Sequence, residues 1–313
     1  MVNSRLYAFV PGFRKDKSMA VHVDHPYTNL SGEWVRANFH GHSKENSACA
    51  SVPLLQGAQM YHDIGADVMT LTDHDVVTDV SALRAAYPEM VFLHGFEYSS
   101  RENVVFAGDQ MPDLYALSLE EALSRANNLL TIICHPQPRQ GVVYWTQAKI
   151  RALGVVSDGI EVYNGHYGVE RMRKTGCNPY YAPFWDELLT DGLRLWGFAN
   201  DDFHDPADFN NAFNMVHVEK RTPDAVIRAA KTGRCYASTG LRLTGVTEEN
   251  GRIAVRTEAS CTGRFIGPGG QTLQEGTGTH FDYTLTDEAY VRFEGEGETG
   301  RLFLQPFFLV KQA

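Results

Sequence analysis

The feature that most constrains this 313-residue chain is where its polar metal-type residues fall. From about residue 34 to 220, short apolar runs alternate with amphipathic stretches. The runs are 34–39, 67–72, 90–96, 103–108, 129–134, 159–164, 193–199 and 213–219. They are rich in Val, Ile and Phe, as buried parallel strands are. Several end in histidine or carboxylate: Phe39-His40-Gly41-His42, Thr72-Asp73-His74-Asp75, Gly95-Phe96-Glu97, Cys134-His135-Pro136 and Asn200-Asp201-Asp202-Phe203-His204. In parallel α/β architectures the carboxyl ends of strands share one rim, where ligands bind. Five such ends therefore converge on a site able to hold divalent cations.

The intervening segments read as helices. Residues 52–64 open with Pro53 and close at Gly65, the asymmetry expected of a helix. Residues 77–87 end before Pro88, Ser118 precedes Glu121 as an N-cap, 184–191 end at Gly192, and 221–233 carry Thr222, Pro223 and Gly233 as start and stop signals. One of Asp73 and Asp75 is expected to cap the helix at 77–87. Alternating β and α implies a parallel sheet with helical cover, open or closed into a barrel. Beyond residue 234 the composition shifts to Gly, Thr and alternating strands, an all-β appendage of sandwich type over 235–313. Residues 1–33 form a lead-in to the main domain over 34–234. GPGG (267–270) and GEGETG (295–300) are turn glycines between appendage strands.

The residue types suit the chemistry. His-x-His on an extended segment places both imidazoles on one side, and Asp202-x-His204 does the same. Imidazole with carboxylate is a ligand set for Zn, Mn or Fe. Glu97 has two oxygens with which to bridge two ions. Two ions about 3.5–4 Å apart hold a hydroxide and clamp a phosphoryl or carbonyl oxygen. Asp202, His204 and His74 are the candidates for proton relay in catalysis. Cys134 reads as a small core residue, and His22, His25, His62, His217 and His280 as ordinary surface or core histidines. Near the rim, Arg101, Asn164 and Arg171 are candidates for holding an anionic substrate, with His94 and His166 as further pocket candidates.

The motifs FHGHS, LTDHD, GFE, ICHP and NDDFH, in that order, resemble those of the polymerase-and-histidinol-phosphatase (PHP) family. The resemblance covers about residues 34–220, and DGIEVYNG at 158–165 matches a further family segment. It implies a distorted (β/α)7 barrel, a fold of α/β class, with metals at the carboxyl-end rim. More loosely, GRCYASTGL with its Gly-rich strands is similar to the carbaryl-hydrolase-like branch. The resemblance assigns one metal to His40, His42, Glu97 and Asp202. A second shares Glu97 and adds His135, while its remaining histidine falls on Asn103. A third takes His74 and His204, with its carboxylate position at Ser47 and Glu45 close by. One to three divalent ions per chain follow, with Asn103 and Glu45 as substitute oxygen ligands.

The implied activity is a metal-dependent hydrolase, foremost a phosphoesterase on a small anionic molecule. The same cluster acting on a carbamate, ester or amide is the first alternative, and a non-catalytic degenerate PHP-like binding protein is the second. A net charge of -10 disfavours a stable nucleic-acid partner. No apolar run reaches the roughly 20 residues of a bilayer span. There is no signal-peptide pattern, and five scattered cysteines form no CxxC pair, so a cytoplasmic location is expected, with a homo-oligomer allowed.

Overall fold

The structure is a computed structural model that describes residues 22–99 and 102–310. The strands are β1 (His22–Asp24), β2 (Glu33–Asn38), β3 (Val68–Leu71), β4 (Val91–Tyr98), β5 (Val104–Gly108), β6 (Leu130–Ile133), β7 (Gly159–Asn164), β8 (Trp196–Asn200), β9 (Phe213–Val218), β10 (Cys235–Ser238), β11 (Leu243–Glu249), β12 (Arg252–Gly267), β13 (Gln271–Thr284), β14 (Tyr290–Gly297), β15 (Gly300–Leu304) and β16 (Phe307–Val310). The helices are α1 (Leu54–Asp63), α2 (Ser81–Ala86), α3 (Leu119–Arg125), α4 (Gln147–Ala152), α5 (Gly165–Gly168), α6 (Glu170–Lys174), α7 (Ala182–Thr190) and α8 (Pro223–Lys231).

All eight apolar runs of the first 220 residues become strands, joined in the order β9-β2-β3-β4-β5-β6-β7-β8. The pairs β2–β3, β3–β4, β6–β7 and β7–β8 are parallel. The run at 103–108 departs from the parallel expectation, because β5 is antiparallel to both β4 and β6. The link from Tyr98 to Val104 is too short for a crossover, which needs a dozen residues or more. Hairpin geometry is the only option it leaves.

The strands present two apolar faces. One, carrying Val35, Ala37, Val68, Val91, Leu93, Val105, Ile132 and Phe198, packs on Val226, Ile227 and Ala230 of α8. The other packs under the remaining helices, with Phe96 and Phe106 against Leu119 and Leu123, and Phe92 against Leu83. On β4 the first face runs Val91, Leu93, Gly95, Glu97, so the residue that ends this apolar row is a carboxylate. Gly95 admits no side chain, since a Cβ there would lie 2.6 Å from the Phe106 carbonyl.

The closed seven-stranded barrel is not formed as a continuous ladder. β8 pairs with β7, and no backbone ladder joins it to β2 or β9 among the described residues. Side-chain amides occupy that seam instead. The buried Asn214 accepts from Ala199 N at 3.0 Å and donates to the Ala199 carbonyl at 2.8 Å. Asn200 Oδ1 accepts from Phe39 N at 3.0 Å, and Gln305 brackets Gly197 with bonds of 2.8 Å to both its N–H and its carbonyl. The free edge of β8 is thus satisfied without strand pairing.

The strand-rich C-terminal region continues the same sheet through β9–β10 and β10–β15, and β1 pairs with β16 at its far edge. Its long β12–β13 hairpin turns at Pro268–Gly270, where Gly269 and Gly270 adopt φ of 71°. The fully buried Arg292 ties this region to α7, with its guanidinium on both oxygens of Asp186 at 2.7 Å and on Glu294 at 3.0 Å.

Helices 52–64 and 221–233 appear with slightly trimmed ends, and Ser118 accepts from Glu121 N as the N-cap of α3. The expectation for 77–87 needs correction. α2 begins only at Ser81, and neither Asp73 nor Asp75 caps it. Asp73 instead accepts from Ser43, Ser47 and Thr78, and Asp75 from Ser99. No helix among the described residues is long and apolar enough to cross a membrane.

Replacing Asn214 with alanine should lower unfolding free energy by about 2–5 kcal/mol, because buried backbone groups of Ala199 lose their partners. Urea denaturation measures this, and a loss below about 0.5 kcal/mol would contradict an amide-sealed seam.

Candidate metal centre

The rim is built from strand ends. His40 and His42 follow β2, His74 follows β3, Glu97 lies near the end of β4, His135 follows β6, and Asp202 and His204 follow β8. Because β5 runs the other way, its leading end reaches the rim, which places Asn103 there. Gly41 bridges to Phe203, and His42 N donates to the Phe203 carbonyl at 2.8 Å, so the two motifs meet directly.

The structure brings all seven of the proposed ligands into one cluster. His40 Nε2 lies 3.3 Å from Glu97 Oε2, 3.2 Å from Asp202 Oδ1 and 3.2 Å from His42 Nε2. His42 Nε2 lies 3.2 Å from Asp202 Oδ1 and 3.5 Å from Glu97 Oε2. His135 Nε2 is 3.1 Å from Glu97 Oε1, His74 Nδ1 is 3.0 Å from Glu97 Oε2, and His204 Nδ1 is 3.5 Å from Asp202 Oδ1. His40, His42, Glu97, His135 and Asp202 are buried, while His74 and His204 reach toward solvent. His135 and Asp202 adopt φ of 25° and 50°, a conformation that side chains other than glycine rarely take. Such strain gathers at functional sites.

The outer partners fix which nitrogen of each ring faces inward. His40 Nδ1 lies 2.9 Å from Glu161 Oε1; a carboxylate only accepts, so Nδ1 carries a proton and Nε2 is the nitrogen turned toward the cluster. Glu161, fully buried on β7, also accepts from His135 N, Asn164 Nδ2 and Asn200 Nδ2. His42 Nδ1 faces Ser47 Oγ at 3.4 Å, and that hydroxyl donates to Asp73 at 2.6 Å. Sequence reasoning gave Glu161 no role, although a lone acid inside the apolar run GIEVYN was the available signal.

Asn103 Nδ2 donates to Glu97 Oε1 at 2.7 Å, and Asn164 Nδ2 to Asp202 Oδ2 at 3.2 Å, so both amides hold carboxylates. His166 lies beside the cluster, its ring 4.9 Å from that of His204 and its Nδ1 3.0 Å from Asp208. Arg171 is engaged by Asp205 and Asp208, which occupy the charge assigned to substrate. Two candidates lie elsewhere. Glu45 accepts from Leu54 N at the start of α1, and His94 binds the Asp109 carbonyl at 2.7 Å on the β4 face opposite Glu97. Arg101 falls outside the described residues. Cys134 is buried in the core with its thiol on the Ile132 carbonyl, and all five cysteines are unpaired.

The donor set fits divalent cations. Glu97 Oε2 is buried among three imidazole nitrogens yet has no hydrogen-bond partner, and His135 Nδ1 is likewise orphaned. Buried polar atoms seldom lack partners unless something else satisfies them. Charge does the rest. Burial opposes ionisation of Glu97 and Asp202, yet the surrounding imidazoles hold both well below the usual carboxylate range. Burial likewise opposes a charged His74, but the Cys49 thiol and the Glu97 carboxylate push it up to about 10. Asp202 and Cys49 overcome burial to raise His204 to about 9, while burial takes His42 down to about 4.

No family model and no curated protein matches the sequence. Among solved structures, the chain is similar to a two-domain protein from Bacteroides vulgatus containing a predicted PHP-like metal-dependent phosphoesterase. The TM-score is 0.52 at 16% identity, over 87% of this chain and 95% of that one. The chain has a PHP-like fold. Two further structures align less well: an amidohydrolase from Chromobacterium violaceum with bound sulfate and no metal (TM-score 0.38, 16% identity, 54% of this chain and 88% of that one), and PsfC from Pseudomonas syringae (TM-score 0.39, 14% identity, 63% and 87%).

Two outcomes follow from the geometry. Glu161→Gln should weaken zinc binding roughly 10–100-fold, since outer partners orient the ligand rings; calorimetry showing unchanged affinity would refute the role. Protons held on His74 and His204 at neutral pH must leave when a cation binds. Zinc uptake should therefore release protons and tighten as pH rises toward 9. Titration calorimetry in buffers of different ionisation enthalpy counts them, and a count of zero would contradict the scheme.

Proposed function

We propose that the protein is a metal-dependent hydrolase of phosphoesters on a small anionic molecule. The observation that carries this reading is Glu97 Oε2, a buried carboxylate oxygen within 3.0–3.5 Å of His40, His42 and His74 and without a hydrogen bond. His40, His42, Glu97 and Asp202 would hold one divalent cation, and Glu97 with His135 a second, while His74 and His204 line the outer side. When bound, such cations acidify water and polarise the oxygens of a substrate.

The chain's own residues do the positioning. Glu161 and Ser47 fix the imidazoles, Asn103 and Asn164 hold Glu97 and Asp202, and the strained backbone at His135 and Asp202 keeps both side chains inward. Tyr144 and Tyr167 flank His135 with ring centroids 5.7 and 5.5 Å away, walling one side of the centre. His166, steadied by Asp208, lies next to His204, where it can hand a proton to a departing alcohol. Preference for phosphate rests on charge. Two carboxylates balance one divalent cation, so a second leaves the centre positive toward an anionic oxygen. The Bacteroides protein's phosphoesterase description points the same way. We also read the arc β2–β8 as a PHP-type barrel opened at the β8 seam.

The panel that tests this comprises p-nitrophenyl phosphate, a bis(p-nitrophenyl) phosphate diester and a naphthyl carbamate, assayed with manganese, zinc or iron supplied. Turnover of a phosphate ester is expected, lost on chelation. His40→Ala or Asp202→Asn should cost more than the roughly 100-fold typical of an outer partner. Metal-loaded protein that cleaves only the carbamate would reassign the substrate class, and full activity of the chelated His40→Ala protein would end the reading.

A further inference from the structure

A second group of donors gathers beside the centre, where the end of β7 meets the turn after β8. His166 N donates to the Asp201 carbonyl at 2.8 Å, which ties the two strand ends together. The fully buried Asp208 accepts from the backbone N–H groups of His204 and Asp205 at 3.2 and 3.1 Å, so the turn folds its carboxylate back toward His166. Ligand atoms of His166, His204 and Asp208 all lie within 4.8 Å of one another. His204 Nδ1 donates to the Asp202 carbonyl at 2.7 Å, which leaves ligation to its Nε2.

Two observations point to a cation in this group. His166 Nδ1 is buried and 3.0 Å from Asp208 Oδ2, yet it makes no hydrogen bond. At that distance only direction can fail, so the nitrogen does not aim at the oxygen. Chelation produces such a pair. Two donors about 2.0–2.1 Å from a tetrahedral zinc stand roughly 3.3 Å apart, and the line between them leans about 35° from either metal bond. The same signature, a short separation without a hydrogen bond, marks His74 Nδ1 and Glu97 Oε2 at the centre. Charge is the second observation. Arg171 takes Asp208 through Oδ1 and also binds Asp205, so one guanidinium faces two carboxylates and leaves a negative charge on the side of His166.

We propose that His166, His204 and Asp208 form a separate site for a zinc-class divalent cation, next to the centre but sharing no carboxylate with it. Two imidazoles and a carboxylate, with a fourth position left to water, are a zinc donor set. Arg171 and the two backbone N–H groups would hold Asp208 in place, as outer partners of a ligand do. A ring bound through Nδ1 stays a neutral imidazole and holds its last proton tightly. On the hydrolase reading above, His166 therefore hands on a proton only while this site is empty.

The test uses the full chain with zinc alone. An anomalous difference map from zinc-soaked crystals of the unmutated protein should show a peak about 2.0–2.2 Å from His166 Nδ1 and Asp208 Oδ2, apart from any peak on Glu97. In solution, His166→Gln should lose one zinc equivalent per chain by elemental analysis, or weaken the last-filling one at least about tenfold by calorimetry, and keep the others. The map does not depend on any variant folding. Zinc on Glu97 with none at His166, or a count and affinity unchanged in His166→Gln, would overturn this site and leave the centre standing. A peak at His166 with none on Glu97 would support this site and overturn the centre, and a protein that binds no zinc would overturn both.

Discussion

The molecule is organised around one buried carboxylate. Glu97 lies at the end of an inward-facing row that is otherwise apolar, and each of its oxygens faces imidazole. An isolated charge there would cost several kcal/mol to desolvate. The neighbours offset that cost, because the acidic groups of the cluster raise the proton affinity of His40, His74 and His135. A proton there stands where a cation would bind. The cluster is therefore an exchange site, in which opposite charge is always needed but its carrier can change. Within it, Glu97 Oε2 and His135 Nδ1 are left without hydrogen bonds from the protein.

Much of this was legible because strand ends and donor types coincide in the sequence. Side-chain alternation predicts that His40 lies with His42, and Asp202 with His204. What stayed hidden depended on direction and partner choice. The antiparallel run of β5 was not visible in the apolar pattern of residues 103–108, since buried strands look alike either way. Direction decides that Asn103, before the strand, reaches Glu97. Likewise Asp201 and Asp202 are adjacent acids with opposite fates. Asp202 enters the cluster, whereas Asp201 collects Tyr61 Oη and the backbone N–H groups of Asn210, Asn211 and Ala212, and burial pushes it up to about 6. Local sequence cannot rank the two, because the difference lies in a left-handed φ at Asp202.

The same limit explains Glu45 and Arg171. Charge and proximity in sequence suggested Glu45 and Arg171, but each finds a stronger partner: the first-turn N–H of α1 for Glu45, and two carboxylates for Arg171. Ser47 and Ser51 fold the loop after His42 back on Asp73 and His204. A polar residue's role at this rim is decided by which neighbour claims it first.

The C-terminal strands belong to this argument as well. β8 carries Asp202 and His204 at its end, and among the described residues no ladder closes its outer edge. Asn214 of β9 and Gln305, between β15 and β16, occupy that edge with side-chain amides. β9 is held in turn by β10, and β10 by β15, so the amides are positioned by strands that themselves carry no ligand. An amide presents a donor and an acceptor together, as a backbone strand does, but without imposing the register of a ladder. That freedom suits the seam beside the centre. Asp202 must leave β8 with a positive φ, and a tightly paired neighbour would hold the backbone extended. On this view the strand-rich region braces the one edge of the rim that backbone pairing leaves open.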